Sequence, residues 1–144
     1  MSAPRLKVVL TRRLPDAVET RMRELFDAEL NLSDAPMDRA ALEAAVRRAD
    51  VLVPTITDAI DAGLIAAAGE QLKMIASFGA GVNHIDVEPA VHPGLLGHAN
   101  VVLLPHLGSA TLEARQDMGD RVIANILTFQ NGHRPPDRVI PAML

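Results

Sequence analysis

Residues 6–32 read LKVVLTRRLPDAVETRMRELFDAELNL, and this stretch sets the fold. Residues 6–10 form a short apolar run, which suits a strand buried on both faces. Pro15 then opens a helix to about Phe26, because a proline in the first turn gives up no hydrogen bond. Val18, Met22, Leu25 and Phe26 recur at helical spacing on its inner side. A second strand is expected over 28–32. Two short strands joined by a helix must run parallel, since only a crossover of that length returns the chain to the same end of a sheet. Outward from this unit the rhythm repeats. Asp38 caps a helix to about Arg48 with Leu42, Ala45 and Val46 inside, and a third strand covers 51–53. Asp61 caps a short helix over 62–68, stopped by Gly69, and a fourth strand covers 73–78. A fifth strand is expected at 101–104. A last helix runs from Ser109 or Thr111 to Gln130, ended by Asn131-Gly132, with two inner rows: Met118, Val122, Ile126 and Gly119, Ile123, Leu127. Residues 133–144 read as an extended tail. The expected fold is one α/β domain, a flavodoxin-like doubly wound parallel sheet of five strands in the order 2-1-3-4-5.

Composition narrows the function. The chain has 144 residues, 49% of them apolar, which suffices for one domain with a real core. With three Phe and no Trp or Tyr, stacking on bases is disfavoured, and a net charge of −4 disfavours any polyanion partner. There is no cysteine, so thiol catalysis and thiolate metal sites are excluded. No apolar run approaches the ~20 residues of a membrane span, and residues 1–10 lack the apolar core of a signal peptide. A cytoplasmic protein is expected.

Two loops carry chemistry. Phe78-Gly79-Ala80-Gly81-Val82-Asn83-His84-Ile85-Asp86 follows the fourth strand. It superficially matches the dinucleotide fingerprint, but His84 replaces the third glycine, and Leu103-Leu104 stand where an acid about 20 residues on would hold a ribose. One reading is a tight turn that needs glycine. The other is a nest of backbone N–H groups around Gly79, Ala80 and Gly81 that holds a small carboxylate, placed where open parallel sheets bind ligands. The second loop, Leu104-Pro105-His106-Leu107-Gly108-Ser109-Ala110-Thr111, ends a strand and starts a helix. Taken alone, His106 reads as an ordinary loop histidine capping a helix; alternatively Glu88, in the irregular connection before Pro89, can orient it and raise its pKa, leaving an imidazolium able to protonate a carbonyl oxygen. Between the loops the rhythm breaks. Pro89 and Pro93 forbid the long helix that should join strands four and five.

Taken together, residues 73–86, Glu88-Pro89 and 100–111 resemble the D-2-hydroxyacid dehydrogenases, in particular their glyoxylate/hydroxypyruvate reductase branch. Pro105-His106-Leu107-Gly108-Ser109-Ala110-Thr111 is the most specific match. The resemblance implies a substrate domain built from both ends of the chain, with a nicotinamide-binding Rossmann domain inserted between. It assigns His106 as proton donor, Glu88 as its partner, and the Gly79, Ala80 and Gly81 backbone to the substrate carboxylate. No residue matches the family's catalytic arginine. Asp86 precedes the family's insertion and Glu88 follows it, yet only Val87 separates them. A dinucleotide domain needs on the order of 100 residues. The expectation is therefore a substrate domain, spliced at 86–88, that binds no cofactor itself although its parent family uses NAD(P)H. A clean splice favours engineering over natural deletion.

Weaker readings complete the inventory. His84, His92 and His98 lack metal-ligand spacing. The acid-rich face around Asp16, Glu19 and Glu24 reads as solvated; Arg12-Arg13, after a strand, could line a polar edge, but a solvated pair is the favoured reading. Thr55 and Thr57 follow strand three at the ligand edge and are candidate contacts. Met22, Met74 and Met118 read as core fillers. The partners expected are a small 2-keto or 2-hydroxy acid, bound weakly if at all, with no nucleic acid and no membrane. The chain is expected to be monomeric, although Val91, Leu95 and Leu96 offer a route to self-association. Two alternatives stand: an inert flavodoxin-like scaffold, or a flavin-binding or receiver-type domain. Against the latter, the chain has no aspartate at the end of strand three and no Tyr or Trp to stack on a flavin.

Overall fold

The computed structural model describes residues 5–79 and 111–138. Eight elements follow in order: β1 (Lys7–Leu10), α1 (Asp16–Leu25), β2 (Asp27–Glu29), α2 (Arg39–Arg48), β3 (Val51–Val53), α3 (Ala62–Ala67), β4 (Met74–Ile75) and α4 (Leu112–Gln130). The four strands form one parallel sheet in the order β2-β1-β3-β4. The expected fifth strand at 101–104 lies outside the described residues.

Alternation along the strands divides the core in two. Val8, Leu10, Val51 and Val53 face α1 and α4, where they meet Met22 and Ile126. Val9 and Leu52 face the other way, onto α2 and α3, where they meet Val46 and Leu64. The two central strands, β1 and β3, are thus buried on both faces, which is why these segments read as apolar runs. Met74 packs on the first cluster and Ile75 on the second, so β4 continues the same alternation. The α1–α4 contact is close. A Cβ built on Gly119 would lie 2.2 Å from Val18 Cγ2, so only glycine admits this approach.

The caps follow the sequence. Asp38 accepts from Ala41 N–H, Asp61 from Leu64 N–H and Thr111 from Ala114 N–H, each satisfying an orphan donor of a first turn. Asn131 closes α4, and Gly132 follows at φ 78. At the amino edge of the sheet, Asp50 ties three strand starts together. It accepts from Lys7 N–H at 2.9 Å, Gln71 Nε2 at 2.9 Å and Lys73 Nζ at 3.0 Å. Desolvation opposes its charge, but the bonds from Lys7 and Lys73, with the charge of Lys73, hold its pKa below the ordinary aspartate value.

Three expectations need correction. The second strand ends at Glu29 rather than residue 32, because Asn31 leaves the ladder to bond Thr11 O and Ala35 O, both at 2.7 Å. The fourth strand is two residues long, rejoining the sheet through an isolated Thr55–Phe78 bridge. Over its described residues, 133–138, the tail does not simply extend. Asp137 folds back on α4, its N–H donating to Asn125 Oδ1 at 3.1 Å and its carboxylate accepting from Asn125 Nδ2 at 2.7 Å.

Candidate functional site

The carboxyl ends of β1, β3 and β4 converge on a polar cluster built from three loops. Thr11, directly after β1, and Asp58, in the loop after β3, are both buried. One oxygen of Asp58 takes three donors: Thr11 Oγ1 at 2.5 Å, Thr55 N at 2.7 Å and Thr55 Oγ1 at 3.2 Å. A carboxylate three residues after Thr55 can close the turn on itself, and Thr55-Ile56-Thr57-Asp58 does so. The turn holds Thr55 beside Phe78, whose N–H donates to Pro54 O at 2.8 Å. Gly79, half-buried, follows at once.

Outside this buried node lies a second tier. Thr55 Oγ1 and Thr57 Oγ1 are 2.9 Å apart, and Arg12 donates through one guanidinium nitrogen to Thr57 Oγ1 at 3.0 Å. Hydroxyl bookkeeping fixes the direction of the chain. Thr55 spends its one proton on Asp58, so Thr57 must donate to Thr55, and Arg12 to Thr57. Arg12 Nε also donates to Asp34 at 3.0 Å, and Arg13 N–H donates to the same Asp34 oxygen at 2.9 Å. Asp34 sits at φ 54, a left-handed conformation that aspartate tolerates better than most residues. The Arg12 guanidinium, then the Arg13 N–H, hold the Asp34 carboxyl below its ordinary pKa, and Asp34 raises Arg12 in return.

Of the residues singled out from sequence, Gly79, Thr55 and Thr57 come together at this edge. Ala80, Gly81, Glu88 and His106 lie outside the described residues, as do His84, His92 and His98. Two readings change. Arg12 is not a freely solvated side chain but is engaged by Asp34 and Thr57. Glu19 is buried, its carboxylate accepting from Leu14 N–H at 2.9 Å, because α1 begins at a proline and has no side-chain cap of its own. Asp16 and Glu24 are exposed as expected. Sequence reading passed over Thr11, Asp34 and Asp58. The Thr-x-x-Asp spacing at 55–58 was the available signal for Asp58; none marks Asp34, whose partner lies 22 residues away.

The β1–α1 turn does not fit a dinucleotide. Its pyrophosphate needs a glycine-rich turn and free N–H groups at a helix start. The β1–α1 turn instead carries Thr11, Arg12, Arg13 and Leu14, with Thr11 bonded to Asp58 and Leu14 N–H taken by Glu19. Among the described residues no group of three His, Asp or Glu could hold a metal, and no helix is long and apolar enough to cross a membrane.

A parallel sheet with helices on both faces defines the class, an α/β domain. The chain belongs to the D-isomer specific 2-hydroxyacid dehydrogenases, whose catalytic-domain family model it matches over residues 7–140. A glyoxylate reductase of Thermococcus onnurineus is 46% identical over 61 residues, covering 42% of this chain and 18% of that protein. A glyoxylate reductase of Korarchaeum cryptofilum is 32% identical over 89 residues, covering 62% of this chain and 26% of that protein. The chain therefore spans no more than about a quarter of the length of these relatives. Among solved structures, a D-isomer specific 2-hydroxyacid dehydrogenase from Polaromonas sp. JS6 66 shares the fold with a TM-score of 0.54 at 22% identity, over 98% of this chain and 44% of that one.

Proposed function

We propose that the chain is the substrate domain of a glyoxylate/hydroxypyruvate reductase-type enzyme, joined across residues 86–88 where the nucleotide domain of its relatives would stand. One observation carries this reading: a single catalytic-domain match, residues 7–140, contains both the glycine loop and the histidine loop. In it, the Gly79, Ala80 and Gly81 backbone receives the carboxylate of a small 2-keto acid. His106, kept protonated by Glu88, donates to the keto oxygen. Hydride transfer also needs a nicotinamide held against the carbonyl, which in this family NAD(P)H supplies. The β1–α1 turn offers it no cradle, and the arginine that would polarise the substrate has no counterpart. The isolated chain therefore binds without turning over.

The test is direct. The purified chain is incubated with glyoxylate and NADPH, and absorbance at the reduced nicotinamide band is followed beside a protein-free control. No protein-dependent loss is expected; steady NADPH-dependent reduction overturns the reading of an inactive half-site. In parallel, glyoxylate and oxalate are titrated into isotope-labelled chain by nuclear magnetic resonance. Saturable shifts at Gly79 to Gly81 are expected. Their absence favours the inert scaffold.

A further inference from the structure

We propose that Asn131 is a modification site: it deamidates onto the Gly132 nitrogen, at a rate set by the strap that ties Asp137 to Asn125. Of the five asparagines, Asn131 alone precedes a glycine, whose nitrogen no side chain shields. A Cβ added at Gly132 would meet nothing within 4 Å, so no neighbour shields it either. Asn131 is exposed, and its side chain has no hydrogen-bond partner among the described residues. The other asparagines in the described regions are engaged. Asn31 Nδ2 donates to Thr11 O and Ala35 O, and Asn125 is buried with both amide atoms bonded to Asp137.

The reaction needs only water. The Gly132 nitrogen gives up its proton and attacks Asn131 Cγ. The new C–N bond replaces Cγ–Nδ2, and ammonia leaves. Water then opens the succinimide. Cleavage at Cγ gives aspartate; cleavage at the main-chain carbonyl carbon gives isoaspartate, with the chain routed through Cβ and Cγ. Either product puts a carboxylate at the negative end of the α4 macrodipole, and isoaspartate also lengthens the backbone at the cap.

The native fold holds this reaction back. α4 ends in a Schellman motif, in which Gly132 N–H donates to Phe129 O at 2.9 Å and His133 N–H to Thr128 O at 3.0 Å. The attacking nitrogen is therefore already engaged. At a ψ of 10 it nearly eclipses the nitrogen of Asn131, which turns it a third of a revolution away from Cβ. Ring closure requires that rotation, and so an opened cap. The strap resists opening. Asp137 donates its N–H to Asn125 Oδ1 at 3.1 Å, and its carboxylate accepts from Asn125 Nδ2 at 2.7 Å and from Arg121 Nη1 at 3.3 Å. The segment from Asn131 to Asp137 is thus pinned at both ends.

The full chain is incubated at mildly alkaline pH, in buffer and in urea, and deamidation is followed by peptide mapping with mass spectrometry and isoaspartate-specific methylation. Asn131 is expected to react ahead of every other asparagine, and faster in urea than in buffer. In buffer, Asp137→Ala is expected to raise its rate roughly tenfold, the scale of one charge-assisted hydrogen bond lost from the closed state. Arg121→Gln, which removes only the exposed end of the strap, should raise it less. In urea both variants should match the native chain. Hydrogen exchange at the Gly132 amide should quicken in the same order while the β1 amides keep their native rate. If the β1 amides quicken too in Asp137→Ala, that variant has loosened the whole fold and Arg121→Gln decides. A faster reaction at another asparagine overturns the site. Equal rates in buffer and urea, an unchanged rate in the folded variants, or variants that stay faster in urea overturn the control by cap and strap.

Discussion

Asp58 shows how much one buried carboxylate can organise. Three donors from two loops end on a single oxygen, and the turn they close places Thr55 beside the glycine loop. Asp58→Ala leaves the Thr55 N–H without an acceptor and the Thr11 hydroxyl with only Val53 O at 3.4 Å, and a loss of roughly 1–3 kcal/mol is expected by urea denaturation. Asp50 does the same at the opposite edge, with a pH signature. Its folded pKa lies below the ordinary ~3.9, so its contribution is complete above that value and is lost as pH falls through the folded pKa. Acid titration should thus show the native chain losing stability below about pH 4 more steeply than Asp50→Asn, which no longer titrates there. Parallel curves would show that Asp50 is not the group responsible. The sequence disclosed Thr55 and Thr57 as edge residues because strand position alone places them. It did not disclose Asp34 and Thr11, because their partners are 22 and 47 residues distant and only the folded sheet brings them near.

Elements were more legible than residues. Helices α2 and α3 begin at the aspartates that cap them, since a cap is a local signal. Strands were located but not bounded. What ends β2 is the Asn31 side chain reaching Thr11 O, a tertiary bond with no local signature. The row Gly119, Ile123, Leu127 was visible as a helical stripe, but not that Gly119 is the point of closest approach to Val18. Gly119→Ala gains helix propensity yet drives a methyl into Val18, and overpacking of about 1–3 kcal/mol should outweigh the gain. Thermal unfolding checks the sign. Val18→Ala in the same chain should recover part of the loss, and a Gly119→Ala variant as stable as the native chain would show that α1 and α4 separate freely.

At the scale of the whole molecule, the fold class was readable because alternating strands and helices admit few topologies. The proposed absence of a nucleotide domain rests on family resemblance alone, since hydropathy carries no mark of it. Light scattering at two concentrations is expected to give the mass of one chain at both. A mass that rises with concentration would point to self-association. One further consequence follows from α4 packing on α1. Among the described residues, the sheet face under α2 and α3 is complete within the first 75 residues, whereas the face under α1 must wait for Val122 and Ile126. During synthesis, at roughly 5–20 residues per second, Phe26 and Met22 therefore stay uncovered for several seconds after the opposite face has closed. The ribosome-bound chain passes through a half-shut state whose open side is the one most in need of a chaperone.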